Sequence, residues 1–199
     1  MTREPQILEK RERILNAAIG VFAERGFHDC RVSDIARAAD VSHGLVYHYF
    51  ESKDDVLRSI YRDRWALFLK LARERLADER TAVGRLESTV GFLVDVYRAN
   101  PDLMRVLLQD LPVGSVSFVH DTMTEAIDII ESILEEGIAS GEVRADLDPR
   151  LAARIFYGGL QAILSGWVWD GIVQIDESSK KRIGDVLLGG LLERPKGAH

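Results

Sequence analysis

The chain has 199 residues, 46% of them hydrophobic, and its 26 basic and 32 acidic side chains leave a formal net charge of −6. That length and apolar content exclude a disordered tail and allow one or two domains with a sizeable core. No run approaches the roughly 20 apolar residues of a membrane span, the N-terminus is polar rather than signal-like, and a lone Cys30 closes no internal disulfide, so a soluble cytoplasmic protein is expected.

Ile14, Ala18, Val21 and Phe22 form a helical stripe that Gly26 ends, which predicts a first helix over about 9–26, with the residues before Glu9 outside it. Cys30 follows as a small packing residue. Val32, Ile35, Ala36 and Ala39 recur at i, i+3, i+4 and i+7, predicting a second, short helix over about 33–39 with Ser33 as its N-cap. Its alanines leave room for another helix to cross closely. Asp40-Val41-Ser42 then supplies a turn residue, a buried plug and a second N-cap, a link short enough to define a helix-turn-helix. In the third helix, about 42–50, Val46 and Phe50 point inward, leaving His43, Gly44, Leu45, Tyr47, His48 and Tyr49 to the other faces. Two imidazoles and two phenols suit a helix laid in the DNA major groove, where hydroxyls and ring nitrogens meet phosphates and base edges. The acidic balance does not oppose this reading. Up to Lys53 there are 8 basic and 8 acidic residues, and the remainder carries the whole excess.

Ser52 with Asp55 resembles a capping box and opens a long amphipathic helix running to about Arg80, with Val56, Ile60, Leu67 and Leu71 inward. Another helix is predicted over 81–99. Asn100-Pro101 breaks the chain before a short helix to about Asp110, and Leu-Pro-Val-Gly-Ser reads as a loop. Residues 117–140 are helical again, with Gly141 as the stop. Asp148-Pro149 opens the most apolar helix, which carries Leu151, Ile155, Phe156, Leu160, Ile163, Leu164, Trp167 and Trp169 on more than one face and must be covered on two sides. A final helix over about 177–192 carries Ile183, Val186, Leu187 and Leu191, and Pro195 begins a frayed tail.

The segment from Arg13 to Lys53, including Phe22-Ala-Glu-Arg-Gly-Phe, Val-Ser-Asp-Ile-Ala and Tyr-His-Tyr-Phe-Glu-Ser-Lys, resembles the N-terminal domain of TetR-family transcriptional repressors. The resemblance implies an all-α homodimer with a three-helix DNA-binding domain, here 1–52, and a ligand-binding and dimerisation domain, here 53–199. It implies DNA contacts by Ser33, His43, Gly44, Leu45, Tyr47, His48, Tyr49 and Lys53 on a palindromic operator, and dimerisation through the last two helices. Two positions depart from the family pattern. Asp40 stands where glycine is usual and tolerates a left-handed backbone better than most residues. Leu45 stands where Thr or Ser is frequent; it donates nothing to a phosphate, but it can touch a thymine methyl.

Ile-Leu-Glu-Glu-Gly-Ile-Ala-Ser-Gly-Glu-Val through Phe-Tyr-Gly-Gly, followed by Trp167-Val-Trp169, resembles the C-terminal domain of the acyl-CoA-responsive regulators of fatty-acid degradation. An acyl tunnel needs bulky apolar walls. Trp65, Phe68, Phe92, Leu103, Met104, Leu107, Phe118, Met123, Tyr157, Leu160 and Trp167 are the candidates, with Arg98 and Arg105 as cations for the CoA end. Each apolar candidate also reads as ordinary helical core. The same aromatics would serve a multidrug or aromatic-compound sensor. An enzyme or carrier is the reading from another class, and five scattered histidines, no phosphate loop and no nucleophile motif count against it. No metal and no cofactor are expected.

Overall fold

The computed structural model describes residues 3–109, 116–172 and 174–192. It is all-α: α1 (Arg3–Arg25), α2 (Val32–Ala38), α3 (His43–Tyr49), α4 (Lys53–Ala77), α5 (Ala82–Ala99), α6 (Pro101–Gln109), α7 (Val116–Ser140), α8 (Pro149–Trp169) and α9 (Ser178–Leu188). Among the described residues the one β feature is an isolated bridge between Val143 and Leu192. None of these helices is long and apolar enough to cross a membrane.

The chain divides into two compact units, one comprising Met1–Leu67 and Asn100–Val116, the other Phe68–Ala99 and Ser117–His199. The first therefore contains α1 to α3, the first part of α4, and α6. Its core is built from Ile14, Leu15, Phe22, Ile35, Val46, Val56, Leu57 and Ile60, all essentially inaccessible. Arg11 ties α1 to α4 through Asp63 at 2.6 Å, and Arg64 does the same through Glu12 at 2.6 Å.

In the second unit, Leu86, Val90, Leu134, Ala153, Phe156 and Leu160 form the centre of the core. Gly137 lets α7 approach its neighbours closely, because a Cβ there would lie 2.6 Å from Val143 and 2.8 Å from the Ala82 methyl. Gly141, at φ +81, then ends α7 in the left-handed conformation that glycine adopts without penalty. Asp148 caps α8 by accepting the Leu151 N–H at 3.0 Å, with Pro149 in the first turn where its missing N–H is no loss.

Five sequence expectations are corrected. Residues 3–8 belong to α1, which begins at Arg3. The second helix is capped at Arg31 and begins at Val32, so Ser33 lies inside its first turn. Leu67 and Leu71 are 46% and 42% exposed, and the buried residues late in α4 are Leu69 and Leu76. A single apolar stripe cannot serve the whole helix when its two parts belong to different cores. Finally, α9 stops at Leu188, because Gly189-Gly190 leave the helix and the chain turns to pair Val143 with Leu192. Val186, expected inward, is 79% exposed. The expected loop 111–115 and the tail from Pro195 lie outside the described residues.

Candidate functional site

The turn between α2 and α3 is built by local chemistry. Asp40 takes φ 51, and around it Val41 N–H donates to the Ala36 carbonyl at 3.0 Å while Asp40 N–H donates to Arg37 at 3.2 Å, the paired bonds of a Schellman ending. Arg13 reaches over from α1 to donate to the Asp40 carbonyl at 3.2 Å. Ser42 Oγ accepts the Leu45 N–H at 3.2 Å and caps α3. Val46 and Phe50 are buried and pin the helix, and Arg11 lies 5.5 Å over the Phe50 ring.

With that face fixed, α3 turns His43, Gly44, Tyr47 and His48 to solvent, while Leu45 and Tyr49 are half-buried. Tyr47 is 50% exposed, and its ring meets His43 edge-on at 4.9 Å between centroids. The His48 and Tyr49 rings touch in the same way at 5.1 Å. These aromatic pairs order the outward side chains before any partner arrives. Ser33 is exposed on the first turn of α2. No Lys or Arg stands on α3, so a partner phosphate would find cations only on neighbouring elements.

Arg31 caps α2 and Arg37 lies in its last turn; both are exposed, and sequence reasoning passed over both. Asp34 sits between them, accepting the Arg31 N–H at 2.9 Å. That backbone hydrogen bond, helped by Arg25 and Arg37 nearby, holds its carboxyl below the usual range. The cap is therefore lost only as the pH falls through that lowered value, well outside neutral conditions. Lys53, expected at the DNA, is half-buried at the start of α4 and donates to the carbonyls of Phe27, His28 and Cys30.

The apolar candidates fall in both units. In the first, Leu103 and Leu107 are half-buried on α6 beside buried Met104, and Trp65 is half-buried on α4. Arg105 donates to the Ala23 carbonyl at 3.2 Å, joining α6 to the end of α1. Tyr61 Oη lies 3.1 Å from the Val106 carbonyl and 2.7 Å from that of Leu107, sharing its one proton with this pair in the last turn of α6. In the second unit, Phe92 and Leu160 are core, and Phe68, Met123, Tyr157 and Trp167 are half-buried. Phe68 packs on Phe92 at 5.1 Å, and Trp167 packs edge-on against Tyr97 at 5.3 Å. Burial pushes the Tyr157 phenol up to about 12, so it remains a hydrogen-bond donor. The Phe118 side chain lies outside the described residues. Arg98 is paired with Glu177 at 2.7 Å, within a network in which Lys180 bridges Glu177 and Asp95, each at 2.6 Å.

A capped recognition helix with an outward face of phenols and imidazoles, attached to a separate all-helical unit, defines a helix-turn-helix DNA-binding regulator with a second helical domain. Bacterial regulatory proteins of the tetR family match residues 14–60, and the C-terminal region of YsiA-like proteins matches residues 61–181; the chain belongs to the tetR family. It is similar to the fatty acid metabolism regulator protein of Bacillus subtilis, at 30% identity over 78% of this chain and 82% of that one. It is 27% identical to the transcriptional repressor KstR2 of Rhodococcus jostii over 90% of each. Among solved structures, the fatty acid degradation regulator FadR of Bacillus halodurans superposes with a TM-score of 0.80 at 28% identity, covering 90% of this chain and 98% of that one. FadR of Bacillus subtilis in complex with stearoyl-CoA gives a TM-score of 0.81 at 27% identity with the same coverage. The protein is thus a ligand-responsive transcriptional regulator with relatives that govern fatty acid metabolism.

Proposed function

We propose that the protein is a dimeric repressor that reads a palindromic operator with α3 and leaves it on binding a long-chain acyl-CoA. The observation that carries the operator reading is the outward face of α3, where exposed aromatic and imidazole side chains are held by a pinned and capped helix. In this reading Ser33, Tyr47 and Tyr49 meet phosphates, His43 and His48 meet base edges, Gly44 allows close backbone approach, and Leu45 touches a thymine methyl. The effector reading is supported by the likeness to the Bacillus regulators together with the bulky apolar side chains on α4 to α8. Acyl methylenes contribute about 0.8 kcal/mol each on burial, ample for tight binding, yet only the difference between two conformations, about 1–3 kcal/mol, acts on the operator.

A second copy of the chain is supported by α8. Leu151 and Ile155 are 56% and 62% exposed, Trp169 is 75% exposed, and Gly158 and Ala162 continue the same stripe between them. An apolar stripe with small residues at its middle lets a like helix cross closely.

Fluorescence anisotropy with the DNA upstream of the protein's own reading frame tests the operator. Tyr47→Ala is expected to weaken binding by about tenfold or more, since a hydrogen bond to a charged oxygen contributes about 1.5–3 kcal/mol. Unchanged affinity in that variant would remove α3 from the interface. Stearoyl-CoA added to the complex is expected to release the DNA where free CoA does not. Release instead by planar aromatic compounds, with stearoyl-CoA inert, would favour a multidrug-type sensor.

A further inference from the structure

Lys53 opens α4, and its ammonium is turned onto backbone carbonyls. It lies 2.5 Å from the Phe27 carbonyl, 3.3 Å from that of His28 and 2.9 Å from that of Cys30, and 4.4 Å from the centroid of the Phe27 ring. An ammonium has three donors and no more, and here each has a carbonyl. The seat itself is closely packed. Phe27 is 7% exposed and packs edge-on against Phe22 at 5.4 Å, and the Cys30 thiol lies 3.4 Å from the Phe27 carbonyl. These carbonyls belong to the turn that leads directly to Arg31, the cap of α2. Gly26, at φ +79, ends α1 immediately before them.

The geometry points to Lys53 as a positioning residue, not a phosphate ligand: its ammonium fastens the turn at residues 27–30 to the first residue of α4 and so sets where α2 and its exposed Arg31 and Ser33 meet DNA. The inference rests on the operator reading above, but the seat can be tested without DNA.

Lys53→Arg separates the two roles. A guanidinium would serve a phosphate at least as well as an ammonium, but its planar fork does not converge on three carbonyls in a compact seat. Lys53→Arg and Lys53→Met are both expected to weaken operator binding by about tenfold or more. In the free protein both should speed hydrogen exchange of the amides at 27–35. The inference is overturned if Lys53→Arg binds and exchanges like the parent. It is equally overturned if Lys53→Met leaves exchange unaltered and lowers the slope of log affinity against log salt by about 0.9 per reading head, the signature of one lost phosphate contact. Failure of the parent to bind its upstream DNA would defeat the operator reading, and the exchange experiment would still decide the seat.

Discussion

Ile155→Glu is expected to leave a folded monomer and to weaken operator binding by about 10²–10⁴-fold, the advantage that linking two binding modules confers. Ile155 is 62% exposed in the single chain, so a carboxylate there removes little of the fold's own burial. An exposed substitution of this kind usually changes stability by no more than about 0.5 kcal/mol. Across a two-fold axis the same change counts twice, placing two charges in an apolar contact where neither has a partner. Sedimentation velocity reads the first half of the prediction and anisotropy the second. A variant that remains dimeric and binds its operator within twofold of the parent would place the contact between copies elsewhere.

Gly137→Ala is expected to destabilise the protein by about 1–3 kcal/mol, the usual effect of forcing a methyl into a filled space. Helix propensity acts in the other direction, since alanine exceeds glycine by about 1 kcal/mol in a helix interior. Packing decides the sign. The new methyl would meet the Ala82 Cβ, which has no rotamer to change, and Val143, which is 1% exposed and whose N–H donates to the Gly137 carbonyl at 3.0 Å. Relief therefore requires the α7 backbone to move away from α5. At roughly 2–4 °C per kcal/mol for a chain of this size, the thermal midpoint should fall by several degrees. Gly20→Ala is the matched control. It lies in α1 with nothing within 4 Å of its added Cβ, so propensity alone should make that variant as stable as the parent or more so. A Gly137→Ala protein that melts above the parent would show that the close approach at Gly137 relaxes freely.

The DNA-reading segment was legible because its determinants are local. The periodicity of Ile35, Ala36 and Ala39, the inward pair Val46 and Phe50, the cap at Ser42 and the left-handed turn at Asp40 all stand in the structure as residue type and spacing imply. The cap of α2 was misplaced by two residues, because Asp34 accepting the Arg31 N–H competes with a serine that has equal intrinsic preference. Helix order, the break at Pro101, the stop at Gly141 and the cap at Asp148 are likewise chain-local signals, and each appears in the structure.

Other features depend on partners distant in sequence. Which turns of α4 are buried follows from two separate cores, so Leu67 and Leu71 match the pattern and remain exposed while Leu69 and Leu76 are covered. Periodicity shows that a helix has an apolar face, but it does not show where that face ceases to have a neighbour. Cations behave in the same way. Lys53, Arg98 and Arg105 all read as available charges, and the fold gives them carbonyls 23 to 26 residues away, a carboxylate 79 residues away and a carbonyl 82 residues away. Sequence by itself determined the order of the helices, the caps at Ser42 and Asp148 and the outward chemistry of α3, because backbone dihedrals and side-chain capping are settled within a few residues. Tertiary structure alone decided which charged groups remain for a ligand and which apolar faces remain open, because those depend on what the rest of the chain brings within a few ångströms.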